Sequence, residues 1–74
     1  MFPTIDPIKT GENIKKIVKN NGYTAVTVAK MLGLADKSTV YKWMRGDVLP
    51  DIANMVAMAV MLGVKLDDMV AVAA

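Results

Sequence analysis

The chain has no cysteine and no histidine. The first absence excludes a disulfide framework and a thiolate metal site. The second removes the commonest general base and the commonest metal ligand. No nucleophile, acid and base constellation can be assembled from what remains, so the residues argue against an enzyme and call for no cofactor or metal. Cohesion must then come from apolar packing, inside the monomer or between subunits. No apolar run approaches the roughly 18 residues that suggest a membrane span. The longest, Ile52–Leu62, is bounded by Asp51 and Gly63. The start, Met1-Phe2-Pro3-Thr4-Ile5-Asp6-Pro7, lacks the basic opening and apolar stretch of a signal peptide. A cytoplasmic location with no membrane partner is expected, and no small-molecule substrate is evident.

What is present is a short and unusually apolar chain. Its 74 residues make one domain, with a marginal core, since a domain near this size buries only about 60% of its unfolded surface. The hydrophobic fraction is 54%, high for a small domain. The net charge of +2 is a weak nucleic-acid signal, but its distribution is not even. Residues 1–46 hold eight Lys/Arg against three Asp/Glu, giving +5. Residues 47–74 hold one Lys against four Asp, giving −3. A basic half joined to an acidic half suggests one face for a polyanion and another for something else. Chance clustering on a solvated surface is the competing reading.

Residues 1–9, with Pro3 and Pro7 and no period, read as an extended arm that tucks Phe2, Ile5 or Ile8 onto the body. Thr10 is the expected N-cap of a first helix over about 11–20, with Ile14, Ile17 and Val18 on one face. Asn20-Asn21-Gly22 ends it. Thr24 caps a second helix at about 25–32, whose inward stripe is Val28, Ala29 and Leu32, and Gly33 closes it. Asp36 caps a third at about 37–45, ended by Gly46. Leu49 anchors the next loop, Asp51 caps a fourth helix at about 52–62, and a short fifth covers about 66–71. Residues 72–74 are expected to fray, and no strand pattern is visible. The domain proper is thus 10–71, all-α.

Two short helices punctuated by glycine, Thr24–Gly33 and Ser38–Gly46, read as a helix-turn-helix. The second carries Lys37, Ser38, Lys42 and Arg45 on one side and Val40 and Trp43 on the other. The order Thr10-Gly11-Glu12-Asn13-Ile14-Lys15-Lys16-Ile17, Ala29-Lys30-Met31-Leu32-Gly33, Val40-Tyr41-Lys42-Trp43-Met44-Arg45-Gly46, Leu49-Pro50 and Leu62-Gly63-Val64 resembles the XRE family, the Cro and phage-repressor type. The resemblance covers about residues 8–70. It implies a compact five-helix, lambda-repressor-like domain. It also implies a regulator of transcription, in the first instance a repressor, that reads double-stranded DNA as a two-fold dimer.

Carried over by position, Lys37, Ser38 and Lys42 fall where relatives place base-reading residues of the third helix. Lys donates to guanine O6 or N7, and Ser serves several bases. Thr39 lies among them. Arg45 is placed for phosphate. Tyr41 fits either a phosphate contact or a cover over the gap between helices. At the start of the second helix, Thr24 and Ala25 are placed near phosphate through backbone N–H groups. Ala25 stands where relatives often have a glutamine, so that side-chain contact is missing. Val18 and Met44 replace an arginine and a glutamate that many relatives pair. Replacing both partners of a buried pair is often neutral or stabilising, and the two side chains are expected to touch.

Trp43, three residues from Val40, reads as core rather than a stacking platform. Lys15, Lys16 and Lys19 read as solvated surface, while Lys9 and Lys30 fit either surface or DNA. Met55, Met58, Met61 and Met69 at helical spacing read as core or interface rather than metal ligands. Asp67-Asp68 reads as a complement to a helix dipole. The fourth helix is the anomaly, because apolar residues cover every side of it except at Asn54. A helix apolar all round is normally buried all round, which a five-helix domain cannot provide. An exposed apolar strip marks a protein contact, and the resemblance implies a dimer surface toward the end of helix four and helix five. A homodimer through Ala57, Val60, Met61, Val64, Lys65 and Leu66 is therefore expected, with simple tolerance of alanine and valine on a surface as the competing reading. The alternative to a DNA-binding regulator is a protein-interaction module, such as an antitoxin-like partner, on the same scaffold.

Overall fold

The computed structural model describes residues 4–73. A two-residue strand β1 (Thr4–Ile5) leads into α1 (Pro7–Asn20), α2 (Ala25–Met31), α3 (Ser38–Arg45), α4 (Ile52–Leu62) and α5 (Leu66–Met69). A second short strand, β2 (Val72–Ala73), follows. Five helices agree with the sequence pattern over most of their length, as do the caps of α2 and α4. Thr24 caps α2 by accepting the Thr27 N–H at 3.2 Å, and Asp51 caps α4 by accepting that of Asn54 at 2.8 Å. Gly46 and Gly63 stop α3 and α4 in the left-handed region, where a side chain would be strained.

The two ends of the chain depart from the expected arm and frayed tail. The first helix starts at Pro7, not residue 11, because Asp6 is the cap: its Oδ1 accepts the N–H groups of Ile8 and Lys9, each at 3.1 Å. Proline suits this first position, since its missing donor has no helical partner there. Thr10 is not a cap. It is fully buried, and its hydroxyl accepts the Ala71 N–H at 3.0 Å. The tail is paired rather than frayed, with Thr4 opposite Ala73 and Ile5 opposite Val72 in an antiparallel ribbon. The Asp6 N–H donates to the Ala71 carbonyl at 2.8 Å, and Asn13 Nδ2 donates to that of Met69 at 3.2 Å. Two-residue strands carry no alternation to detect. Ile5 and Ile8 are exposed rather than tucked in, and Phe2 lies outside the described residues. The fifth helix ends at Met69, because Val70 is already extended.

The core is built from Ile14, Val18, Val28, Val40, Trp43, Met58, Leu62 and Met69. The tightest approach is between α1 and α3. A Cβ on Gly11 would overlap the carbonyl oxygens of Trp43 and Met44, so only glycine lets these backbones meet. Val18 is a core residue, and Met44 packs half-buried against the same cluster. Leu49 is half-buried and Pro50 buried. Trp43 is core, as its spacing from Val40 implies.

Candidate nucleic-acid interface

Three anchors hold α3 on the body. Val40 and Trp43 are buried in the core. Leu34, in the turn after α2, packs against the same core, and its N–H donates to the Ala29 carbonyl at 2.9 Å. Asp36 Oδ1 accepts the Ser38 N–H at 2.9 Å, so the helix starts at Ser38, with Lys37 at the cap position and making no side-chain cap. With Val40 and Trp43 inside, Ser38, Tyr41, Lys42 and Arg45 occupy the opposite face at the spacing i, i+3, i+4, i+7. All four are exposed, as is Lys37, while Thr39 is half-buried at the margin.

The face is cationic and rich in donors. The Asp36 carboxyl is held below its usual value of 3.8, first by the Ser38 N–H, then by the Ser38 hydroxyl, with the charges of Lys37 and Lys42 adding to the effect. Arg45 Nε donates to Asp47 Oδ2 at 3.0 Å. Among the described residues this is the one ion pair, so Lys37 and Lys42 have no carboxylate partner in this set. At the start of α2, the Thr24 hydroxyl serves its own helix, lying 3.1 Å from that of Thr27. The Ala25 methyl is buried, so only backbone is offered there. A shallow depression of about 280 Å³ lies beside the turn, over Ala29, Leu34 and Asp36.

Helix α4 presents a different surface. It buries Met55, Met58, Ala59 and Leu62, while Ile52 is 71% exposed, Val56 44% and Val60 77%. These three follow i, i+4, i+8 and make one apolar stripe. Of the residues expected at a subunit contact, Val60 and Lys65 are exposed and Ala57 is half-buried. Met61, Val64 and Leu66 are half-buried against the molecule's own core. Ile52 and Val56 were not among those expected. Uniform hydrophobicity hid them, because it leaves the inner and outer faces of a helix indistinguishable. No group of acidic, histidine or cysteine side chains suited to a metal occurs among the described residues. Asp68 instead closes the start of α5, its Oδ2 accepting the Lys65 N–H at 3.0 Å. No helix among the described residues is long and apolar enough to cross a membrane.

The model of the helix-turn-helix family HTH_3 matches residues 14–69, most of the chain. The restriction-modification controller protein C.AhdI from Aeromonas hydrophila has a similar structure, with a TM-score of 0.77 and 25% identity, over 86% of this chain and 96% of that one. A transcriptional regulator from Listeria innocua is similar at a TM-score of 0.75 and 26% identity, over 82% of this chain. The matched part is 56% of the Listeria protein, so the present chain corresponds to little more than half of it. No curated protein sequence matches.

Proposed function

Because the chain belongs to the XRE-type helix-turn-helix family HTH_3 and is a DNA-binding regulator of transcription, we propose that α3 is the element that enters the major groove and that two copies act together. The observation that carries this reading is the outward face of α3. Ser38, Tyr41, Lys42 and Arg45 share one exposed side of a helix whose other side is locked into the core by Val40 and Trp43. A rigid helix with donors aimed outward is what base-edge recognition needs. Lys42, with Lys37 and Ser38 at the helix start, reads base edges. Arg45 and Tyr41 take phosphates, and Thr39 packs at the margin. The start of α2, at Thr24 and Ala25, contributes backbone alone. So few side chains give modest specificity per copy, which a two-fold pair of half-sites multiplies. Repression requires nothing beyond occupancy of the groove, and it is the sense of control that the resemblance to phage repressors implies.

The homodimer rests on the α4 stripe. Ile52, Val56 and Val60 are aliphatic and carry no compensating charge among them, and contiguous apolar surface of this kind marks protein contacts. The contact runs from this stripe through Ala57 and Met61 on α4 to Val64, Lys65 and Leu66 at the start of α5. Titration of a labelled random-sequence duplex at low and moderate salt tests the DNA reading. Binding that weakens as salt rises is expected, with a shallower slope than heavily basic repressors show. No binding at low salt would leave the scaffold as a protein-interaction module. Sedimentation tests the dimer, and a monomer at tens of micromolar rejects it.

A further inference from the structure

Gly46 stops α3 in the left-handed conformation, and the Asp47 N–H turns back to the Lys42 carbonyl at 3.0 Å. This helix stop fixes the Asp47 backbone against the last turn of α3. The carboxylate is held beside Arg45, accepting from Nε at 3.0 Å, and it makes no other hydrogen bond among the described residues. The two side chains are 60% and 55% exposed, so the pair contributes little to folding. Its position matters more. Arg45 shares the outward face of α3 with Ser38, Tyr41 and Lys42, and a carboxylate oxygen presents to Nε–H the same kind of charged acceptor as a phosphate oxygen.

We propose that Asp47 is a specificity-setting residue whose carboxylate competes with the DNA phosphate for Arg45. The proposal rests on α3 being the DNA-binding helix. A phosphate that approaches Arg45 must displace Asp47 and then lie close to its negative charge. Duplex that also engages Lys42 through base edges offsets that cost. Duplex offering phosphates alone does not, so Asp47 suppresses generic binding more than sequence-directed binding. Asp36, at the other end of α3, is less free to play this part because Ser38 engages its carboxylate.

The test is a cycle of wild type, Asp47→Asn, Arg45→Ala and the double variant, titrated with a labelled random-sequence duplex over a range of salt. Asp47→Asn should tighten binding roughly fivefold at low salt and steepen the salt slope by about one. In the Arg45→Ala background the same substitution should change affinity by about twofold or less. Asp47→Ser, which also removes the charge, should reproduce the tightening. Equal tightening in both backgrounds would reduce Asp47 to a distant charge, and weaker or unchanged binding by Asp47→Asn would remove the competition. Either result overturns the proposal. Arg45→Ala in the Asp47→Asn background, already part of the cycle, separates the two levels. If it weakens binding while the cycle shows no coupling, only the role of Asp47 fails. If it changes nothing, α3 is not the DNA-binding helix and both readings fail.

Discussion

Helices α3 and α4 solve the same packing problem and leave opposite surfaces. Each buries one apolar face, Val40 and Trp43 in α3, and Met55, Met58, Ala59 and Leu62 in α4. On the far side α3 presents Ser38, Tyr41, Lys42 and Arg45, whereas α4 presents Ile52, Val56 and Val60. Burying a face is enough to position a helix. What the outer face carries is therefore not demanded by the fold. A donor-rich face suits a polyanion, and an aliphatic one suits another apolar surface.

The strongest way to break this comparison is to remove the shared requirement. Trp43→Ala should cost about 3–5 kcal/mol, a large part of the ~5–15 kcal/mol that holds a typical domain together. Chemical denaturation would show it, and a loss under about 1 kcal/mol would mean that Trp43 is not the anchor of α3. On α4 the outer face is the target. Val60→Glu should leave monomer stability within about 0.5 kcal/mol, yet place like charges in a two-fold contact at a cost on the order of 2 kcal/mol or more. Sedimentation equilibrium would register that as a shift toward monomer, and an unchanged distribution would detach the stripe from the dimer.

The outer face of α3 should respond in the converse way. Lys42→Ala should leave folding and association intact, while weakening DNA binding by about 1–3 kcal/mol and relaxing preference at one base position. A selection from random duplexes, compared between wild type and variant, would show both. The smallest effect concerns the start of α3. The folded Asp36 carboxyl lies below 3.8, through its Ser38 hydrogen bonds first. Its contribution to stability is therefore present above that value and fades as pH falls through the lower folded value. Asp36→Asn should flatten the acid limb of a stability–pH curve slightly, and an unaltered limb would show that the contact does not favour the folded carboxylate.

The two helices also differ in how legible they were. The caps of α2 and α4, the glycine stops and the alternation of Val40 and Trp43 with Lys42 and Arg45 lie within a few residues of one another. Local rules reach them, and both the helix-turn-helix and its outward face follow. In α4 the apolar residues run all round, so no moment points inward and Ile52 could not be told from Met55. Thr10 misled for a related reason. A threonine before a helical period is an ordinary cap, but Asp6 and Pro7 start α1 earlier and leave Thr10 inside.

The sequence by itself determined an all-α helix-turn-helix, its family, and the side of α3 that faces outward, because these depend on short spacings and on residue types. Tertiary structure alone decided the joined ends, the burial of Thr10, the outer face of α4 and the seat of Arg45 against Asp47. The Thr10–Ala71 and Asn13–Met69 hydrogen bonds link residues 61 and 56 positions apart, and the α4 face depends on which neighbours cover it. Neither has a local signature, because each is set by which distant groups share the last space in a small core.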